Sequence, residues 1–115
     1  MMKLRKNGEF VNVYKNGAYY ADLNLTVYVL KNKKGFSRFG ITAGKKVGGS
    51  VMRNRVTRLI REAIRKNGAL VAEGFDIVAL ARAGSGGKKL AELEGSYVKL
   101  IKKSRAYINK ETKSG

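Results

Sequence analysis

The sequence predicts an α+β fold in one domain spanning residues 1–115, with its elements in the order α-β-β-α-β-α. Three observations lead there. The apolar residues switch along the chain between helical spacing and the alternation of a strand. A length of 115 residues leaves room for one core and not two. Hydrophobic residues make up 43% of the chain, enough to fill a packed interior and to exclude a disordered basic tail.

The first helix has Asn7 as its candidate N-cap. Phe10, Val13 and Tyr14 follow i, i+3, i+4 spacing, and Gly17 closes the run. Residues 19–30 then alternate, with Leu23, Leu25, Val27 and Val29 on one face and Asn24, Thr26 and Tyr28 on the other. Beyond the turn Asn32-Lys33-Lys34-Gly35, a second strand runs from Arg38 to Ala43 with Phe39, Ile41 and Ala43 sharing a face. So short a connection predicts an antiparallel hairpin between these two strands. A second helix follows a glycine-bearing loop, with Ser50 as candidate N-cap and Gly68 as its stop. Residues 75–81, FDIVALA, form a third strand whose unbroken apolar run suits cover on both faces. The stretch Gly84-Ser85-Gly86-Gly87-Lys88-Lys89 reads as a flexible connector. A last helix over residues 88–108 sets Leu90, Leu93, Tyr97, Leu100, Ile101 and Ile108 along one stripe.

Lys and Arg number 25 against 8 acidic residues, a net charge of +17. Such self-repulsion opposes the compact state and is relieved by an anionic partner. Nucleic acid is the first candidate and an anionic membrane the second. No apolar run reaches the ~20 residues that span a bilayer, and no signal-peptide pattern opens the sequence. Without His or Cys there is no Ser-His-Asp or Cys-His nucleophile, no zinc cluster and no disulfide, which fits a cytoplasmic location. The acids are scattered. Only Glu73/Asp76 and Glu92/Glu94 lie close in sequence, beside secondary elements where turn, capping or solvation roles are expected. The phosphate-loop pattern is missing too. The protein is expected to bring no catalytic residues of its own, and the sequence assigns it no metal site.

Charge concentrates in residues 45–66, where Lys45, Lys46, Arg53, Arg55, Arg58, Arg61, Arg65 and Lys66 stand against Glu62 alone. At 100° per residue, Met52, Val56, Leu59, Ile60 and Ala63 form an aliphatic face to lie on the sheet. Asn54, Arg58, Arg61 and Arg65 gather opposite, with Arg53 and Arg55 at the margins. A merely solvated helix would intersperse Glu for i,i+4 pairing, and would have no preference for arginine over lysine. Arginine's planar fork suits bidentate phosphate contact and base stacking. A membrane-active or DNA-compacting basic protein is a third reading. A membrane-binding helix would pair its basic face with Trp, Phe or many Leu, whereas this helix has small and medium aliphatics suited to a sheet. An RNA-binding role, in a ribonucleoprotein enzyme or as a ribosomal or architectural protein, accounts for the pattern better.

Residues 38–66, RFGITAGKKVGGSVMRNRVTRLIREAIRK, resemble the signature region of the bacterial ribonuclease P protein component, with Arg53-Asn54-Arg55 following a Lys-Lys-hydrophobic-Gly loop. KLRKNGEFVNVYKNG (3–17) is similar to that family's opening helix, and GFDIVALAR (74–82) to its later strand. The resemblance implies a single-domain αβ sandwich, a sheet of about four strands packed with three helices, with a left-handed βαβ crossover where general topology rules favour a right-handed one. It implies a protein subunit that binds a catalytic RNA and the 5′ leader of precursor tRNA. The RNA then removes the leader with Mg²⁺ held mainly by RNA and substrate. No membrane is implied, and one protein monomer per RNA is expected.

Carried onto this sequence, the resemblance assigns Lys45, Lys46, Arg53, Asn54, Arg55, Arg58, Arg61 and Arg65 to the catalytic RNA. It assigns Phe10, Tyr14, Thr26 and Tyr28 to a cleft for the single-stranded leader, and catalytic residues to none. Aromatic side chains suit unpaired bases, on which stacking is worth ~1–3 kcal/mol each. Phe10 and Tyr14 could equally serve to dock the first helix, whereas Tyr28 lies on the strand face of Asn24 and Thr26. Thr57 stands where the family usually has Lys, and Gly49-Ser50 where Asn-Ala is typical.

Overall fold

The computed structural model describes residues 2–108. The chain runs β1 (Met2–Lys3), α1 (Asn7–Asn16), β2 (Ala18–Ala21), β3 (Leu25–Lys31), β4 (Arg38–Ala43), α2 (Ser50–Lys66), β5 (Phe75–Ala81) and α3 (Leu90–Lys102). One mixed sheet of five strands, ordered β1-β4-β5-β3-β2, is covered on both faces. α2 and α3 lie against one face, where Leu25, Val27, Val29, Ile77 and Ala79 meet Val56, Ile60, Ile64, Leu93, Tyr97 and Leu100. α1 lies on the other, where Val13 joins Leu4 and Val78, with Phe10, Tyr14, Tyr28 and Leu30 around them.

Fold class and the three helices follow the sequence, but the sheet has five strands where about four were expected, and two of the expected strands end or pair differently. The expected strand at 19–30 breaks into β2 and β3. The Asp22 carboxylate accepts the backbone N–H groups of Asn24 and Leu25 at 2.8 and 2.9 Å and folds the chain into a tight turn. Leu23, which keeps the strand's alternation, rides on that turn 83% exposed. The expected hairpin between residues 19–30 and 38–43 is also absent. β5 inserts between β3 and β4, antiparallel to the first and parallel to the second. β4, α2 and β5 therefore form a βαβ crossover, and β5 becomes the central strand. Its apolar run is satisfied on both faces, since Ile77 and Ala79 face α2 and α3 while Val78 faces α1. β1 adds a parallel edge that covers only Arg38 and Phe39 of β4.

Helix ends differ from the sequence reading by a residue or more. Lys6 and not Asn7 is the N-cap of α1, and the Glu9 carboxylate accepts the Arg5 and Lys6 N–H groups from inside the first turn. Gly49 and not Ser50 caps α2, which closes at Asn67. α3 stops at Lys102 instead of continuing to 108. Ser104 Oγ bonds the Ile101 carbonyl at 2.8 Å, and the chain turns so that Tyr107 bridges to Val71. The expected flexible connector at 84–89 is packed over residues 84–86, while Gly87 and Lys89 are exposed. Ser85 is fully buried, and its hydroxyl donates to the Arg82 carbonyl at 2.7 Å. A Cβ on Gly84 would lie 2.3 Å from the Leu23 oxygen, and one on Gly86 2.7 Å from the Val47 oxygen. Glycine serves here for close backbone contact, not mobility.

Asp76 departs furthest from the expected turn or capping role. It is 3% exposed and accepts a two-pronged contact from Arg38, Nε at 2.9 Å and Nη2 at 2.7 Å, plus the Asn32 amide at 2.8 Å. The remaining Arg38 nitrogen reaches Glu9 at 2.6 Å. One guanidinium thus ties β4 to β5 and to α1. Removing it strands a buried carboxylate, so Arg38→Ala is expected to lower unfolding free energy by about 3–5 kcal/mol in urea titrations.

The carboxylates also set an acid limit. Backbone N–H groups of Lys6 and Arg5, with Arg38 behind them, hold Glu9 down at about 2. Partial burial raises Asp22, but the Leu25 amide, Ser96, Lys99 and the Asn24 amide outweigh it and bring it to about 2. Both groups titrate lower folded than unfolded, so their contribution is complete above about pH 4.5 and is lost as pH falls toward 2. Denaturant midpoints measured across that window are expected to fall steadily, and Glu9→Gln is expected to flatten the curve.

Candidate nucleic-acid interface

α2 owes its position to Val56, Ile60, Ala63 and Ile64, which are buried against the sheet and α3. Met52 and Leu59 of the predicted face are half-buried beside them. The opposite face is turned out as expected, with Asn54, Arg58, Arg61 and Arg65 exposed and Arg53 and Arg55 half-buried at the margins. Val51, Asn54, Thr57, Arg58 and Arg61 line an open depression on it.

Two of the predicted cations are not free side chains. Arg65 pairs with Glu62 one turn back. Arg55 donates from Nη1 to the Lys88 backbone carbonyl at 2.8 Å. Lys45 and Lys46 sit off the helix, on a 3-10 turn (Lys45–Val47) after β4. They line a hollow of about 780 Å³ with Leu80, Arg82 and the exposed Leu23, at the carboxyl ends of β4 and β5.

The acids explain why the rest of the face is bare. Glu9 and Asp76 are engaged by Arg38, Asp22 by Lys99 at 2.9 Å and Glu94 by Lys66 at 3.2 Å. Glu92 accepts the Lys89 N–H at 3.2 Å, opening α3. Among the described residues, Lys45, Lys46, Arg53, Arg55, Arg58 and Arg61 have no carboxylate within 4.0 Å. The charges of Lys45, Lys46, Arg53, Arg58 and Arg61 are left for a partner. No three His, Cys, Asp or Glu side chains cluster among the described residues in a way that could hold a metal ion.

The second predicted surface forms on the other side of the sheet, between α1 and strands β2, β3, β5 and β4. Tyr14 and Tyr28 meet edge to face at 4.9 Å, and the Tyr14 hydroxyl lies 2.8 Å from Thr42 Oγ1. Thr26 and Phe10 serve it differently. Thr26 is only 7% exposed and forms floor. Phe10 presses its ring edge onto Gly40, where a Cβ would lie 2.5 Å away, and so fixes the height of α1 above the sheet. Phe10 also lines a hollow of about 140 Å³ with Lys3, Gly40, Ile41 and Arg61, where the two surfaces approach each other around the β4 edge.

Tyr19 and Thr42 were not singled out in the sequence. Tyr19, 67% exposed, tilts against Tyr28 at 5.8 Å because β2 pairs with β3 in the register Tyr19↔Tyr28. In one unbroken strand it would have shared the Leu25 face. Once residues 22–24 turn back, cross-strand partners share a face and Tyr19 joins Tyr28. The signal was Asp22 two and three residues before the amides it bonds.

The ribonuclease P family model matches residues 1–105. The chain belongs to the ribonuclease P protein family. The ribonuclease P protein component of Lachnoclostridium phytofermentans is 46% identical over 99 residues, covering 86% of this chain and 85% of that one. That of Clostridioides difficile is 42% identical over 102 residues, covering 88% and 90%. Among solved structures, the RNase P protein of Staphylococcus aureus superposes with a TM-score of 0.84 at 28% identity, covering 94% of this chain and 99% of that one. The Thermotoga maritima protein gives 0.82 at 27%, covering 91% and 99%. The chain is accordingly a protein subunit of ribonuclease P, an endoribonuclease in tRNA 5′ processing whose catalytic activity resides in RNA. Its partner is RNA within a ribonucleoprotein.

Within this ribonuclease P subunit the height of the aromatic cleft rests on the contact of Phe10 with Gly40. Gly40→Ala is expected to cost about 1–3 kcal/mol by overpacking. It should also lift α1, weakening the Tyr14–Tyr28 nuclear Overhauser contact while leaving α2 amide shifts in place.

Proposed function

We propose that the exposed arginine face of α2 binds the catalytic RNA subunit, and that the aromatic cleft binds the single-stranded 5′ leader of precursor tRNA. The observation that carries this division is the separation of the two surfaces across the sheet. One consists of cations without carboxylate partners, suited to phosphates. The other offers Tyr14, Tyr19 and Tyr28, graded from half-buried to exposed, suited to stacking on unpaired bases with little sequence demand. Arg53, Asn54, Arg58 and Arg61 are the direct contacts to the RNA subunit, with Arg65 free to exchange Glu62 for a phosphate. Thr26 and Phe10 support the cleft, while Tyr14, Tyr28 and Tyr19 touch the leader. Lys45 and Lys46, beside Leu80 at the sheet end, hold backbone where the two RNAs converge.

Mg²⁺ belongs to the RNA and the substrate phosphates in this reading, and supplies the electrophilic assistance that phosphodiester hydrolysis requires. The chain's contribution is to bind and orient. By neutralising phosphates it lets RNA and substrate approach at lower Mg²⁺. The holoenzyme acts in the cytoplasm with one protein monomer per RNA. No helix among the described residues is long and apolar enough to cross a membrane.

The test is reconstitution with a bacterial ribonuclease P RNA at low Mg²⁺. The protein alone is expected to cleave nothing, and its addition is expected to tighten binding of leader-bearing precursor over mature tRNA. Unchanged leader discrimination would refute the cleft assignment. Tyr28→Ala should cost about 1–3 kcal/mol of leader-dependent binding. Arg58→Ala should instead weaken RNA assembly and lower the salt slope of log affinity by about one.

A further inference from the structure

The half-buried Arg55 is spent on a backbone carbonyl, which is unusual for a cation on a phosphate-binding face. Its Nη1 donates to the oxygen of Lys88 at 2.8 Å, across thirty-three positions of sequence. Lys88 ends the connector 83–88. That connector is bonded within itself: Ser85 is buried, the Gly86 N–H bonds the Ala83 carbonyl at 3.3 Å, and the Lys88 N–H bonds the Ser85 carbonyl at 3.1 Å. Gly86 lies against the Val47 oxygen, with no room for a Cβ. Val47 closes the turn that carries Lys45 and Lys46. The connector is therefore held from two sides, by Arg55 on α2 and by the backbone of the 45–47 turn.

We propose that Arg55 is a positioning residue and not a phosphate ligand, and that it pins the connector so that Lys88 and Lys89 extend the arginine face into one cationic strip for the RNA backbone. Lys89 is exposed, and Glu92 engages only its backbone N–H. The Lys88 ammonium lies 3.9 Å from the exposed Glu92 carboxylate, a weak pairing that a phosphate can displace. The strip runs from Arg53 across Lys88 and Lys89 toward Lys45 and Lys46. Its ligand is the phosphate backbone of the RNA subunit, so the inference rests on the arginine-face reading above. The hydrogen bond uses one edge of the fork, and Arg55 acts by holding the peptide that carries the phosphate-binding side chains.

A double-mutant cycle in the reconstituted complex tests this. Lys89→Ala is expected to weaken RNA affinity about tenfold in the wild-type background and hardly at all in Arg55→Ala, because the strip is already displaced. Equal loss in both backgrounds would identify Arg55 as an independent phosphate contact and overturn the proposal. Gly86→Ala keeps every charge but forces the connector off Val47. It is expected to reproduce the affinity loss of Arg55→Ala, and wild-type affinity in that variant would also overturn it. In the free protein, Arg55→Ala should speed amide exchange at Lys88, and unchanged protection would argue against the brace. Failure of the wild-type protein to bind the RNA would sink the arginine-face reading and this inference with it. Additive losses on a tightly binding wild type would sink the inference alone.

Discussion

A single guanidinium decides how the two halves of this molecule meet. Arg38 stands at the start of β4, yet its three nitrogens reach the central strand at Asp76 and the first helix at Glu9. Buried ion pairs rarely add net stability over apolar packing, and their value lies in geometry. Here the geometry is the placement of α1 over the sheet. With Glu9 anchored at one end of the helix and Phe10 resting on Gly40, the remaining turns lean over Tyr28 at a fixed distance. An apolar contact could have held α1 as strongly, but would not have chosen its angle.

The same ion cluster illustrates how a chain with a net charge of +17 stays folded. Several of its few carboxylates accept backbone N–H groups at helix starts and turns, Glu9 and Asp76 neutralise the packed Arg38, and Glu62 and Glu94 pair with exposed cations of α2. Internal demands are met with little acid, and the uncompensated charge is pushed onto α2 and the turns at the sheet end. Affinity for a polyanion is the other side of that allocation.

The secondary elements were largely legible because burial enforces periodicity. The aliphatic stripe of α2, the alternation of β3 and the continuous run of β5 each leave a pattern that residue order preserves. Strand order was not legible. An antiparallel hairpin between β3 and β4 satisfies the same alternation as the observed sheet, and only the tertiary competition for the doubly covered central place selects β5. The break at Asp22 was hidden by Leu23, which keeps the apolar rhythm while pointing into solvent. Glycines 84 and 86 suggested freedom, since composition cannot show the carbonyls lying against them. The arginine face of α2 was readable from its preference for arginine over lysine, whereas the aromatic cleft came from the family resemblance, with strand parity speaking only for Tyr28. The brace from Arg55 was not, because its acceptor is a backbone oxygen with no residue identity.

β1 pairs with only the first two positions of β4 and leaves Ile41 to Ala43 along an open sheet edge. Open edges template strand addition and aggregation, and many proteins blunt them with a bulge, a proline or an inward charge. This chain has no proline anywhere. Its protection is long-range: any second copy approaching that edge carries the same large positive charge, and repulsion acts before backbone groups can pair. The charge that recruits RNA therefore also serves as a solubility device, one that weakens with rising salt.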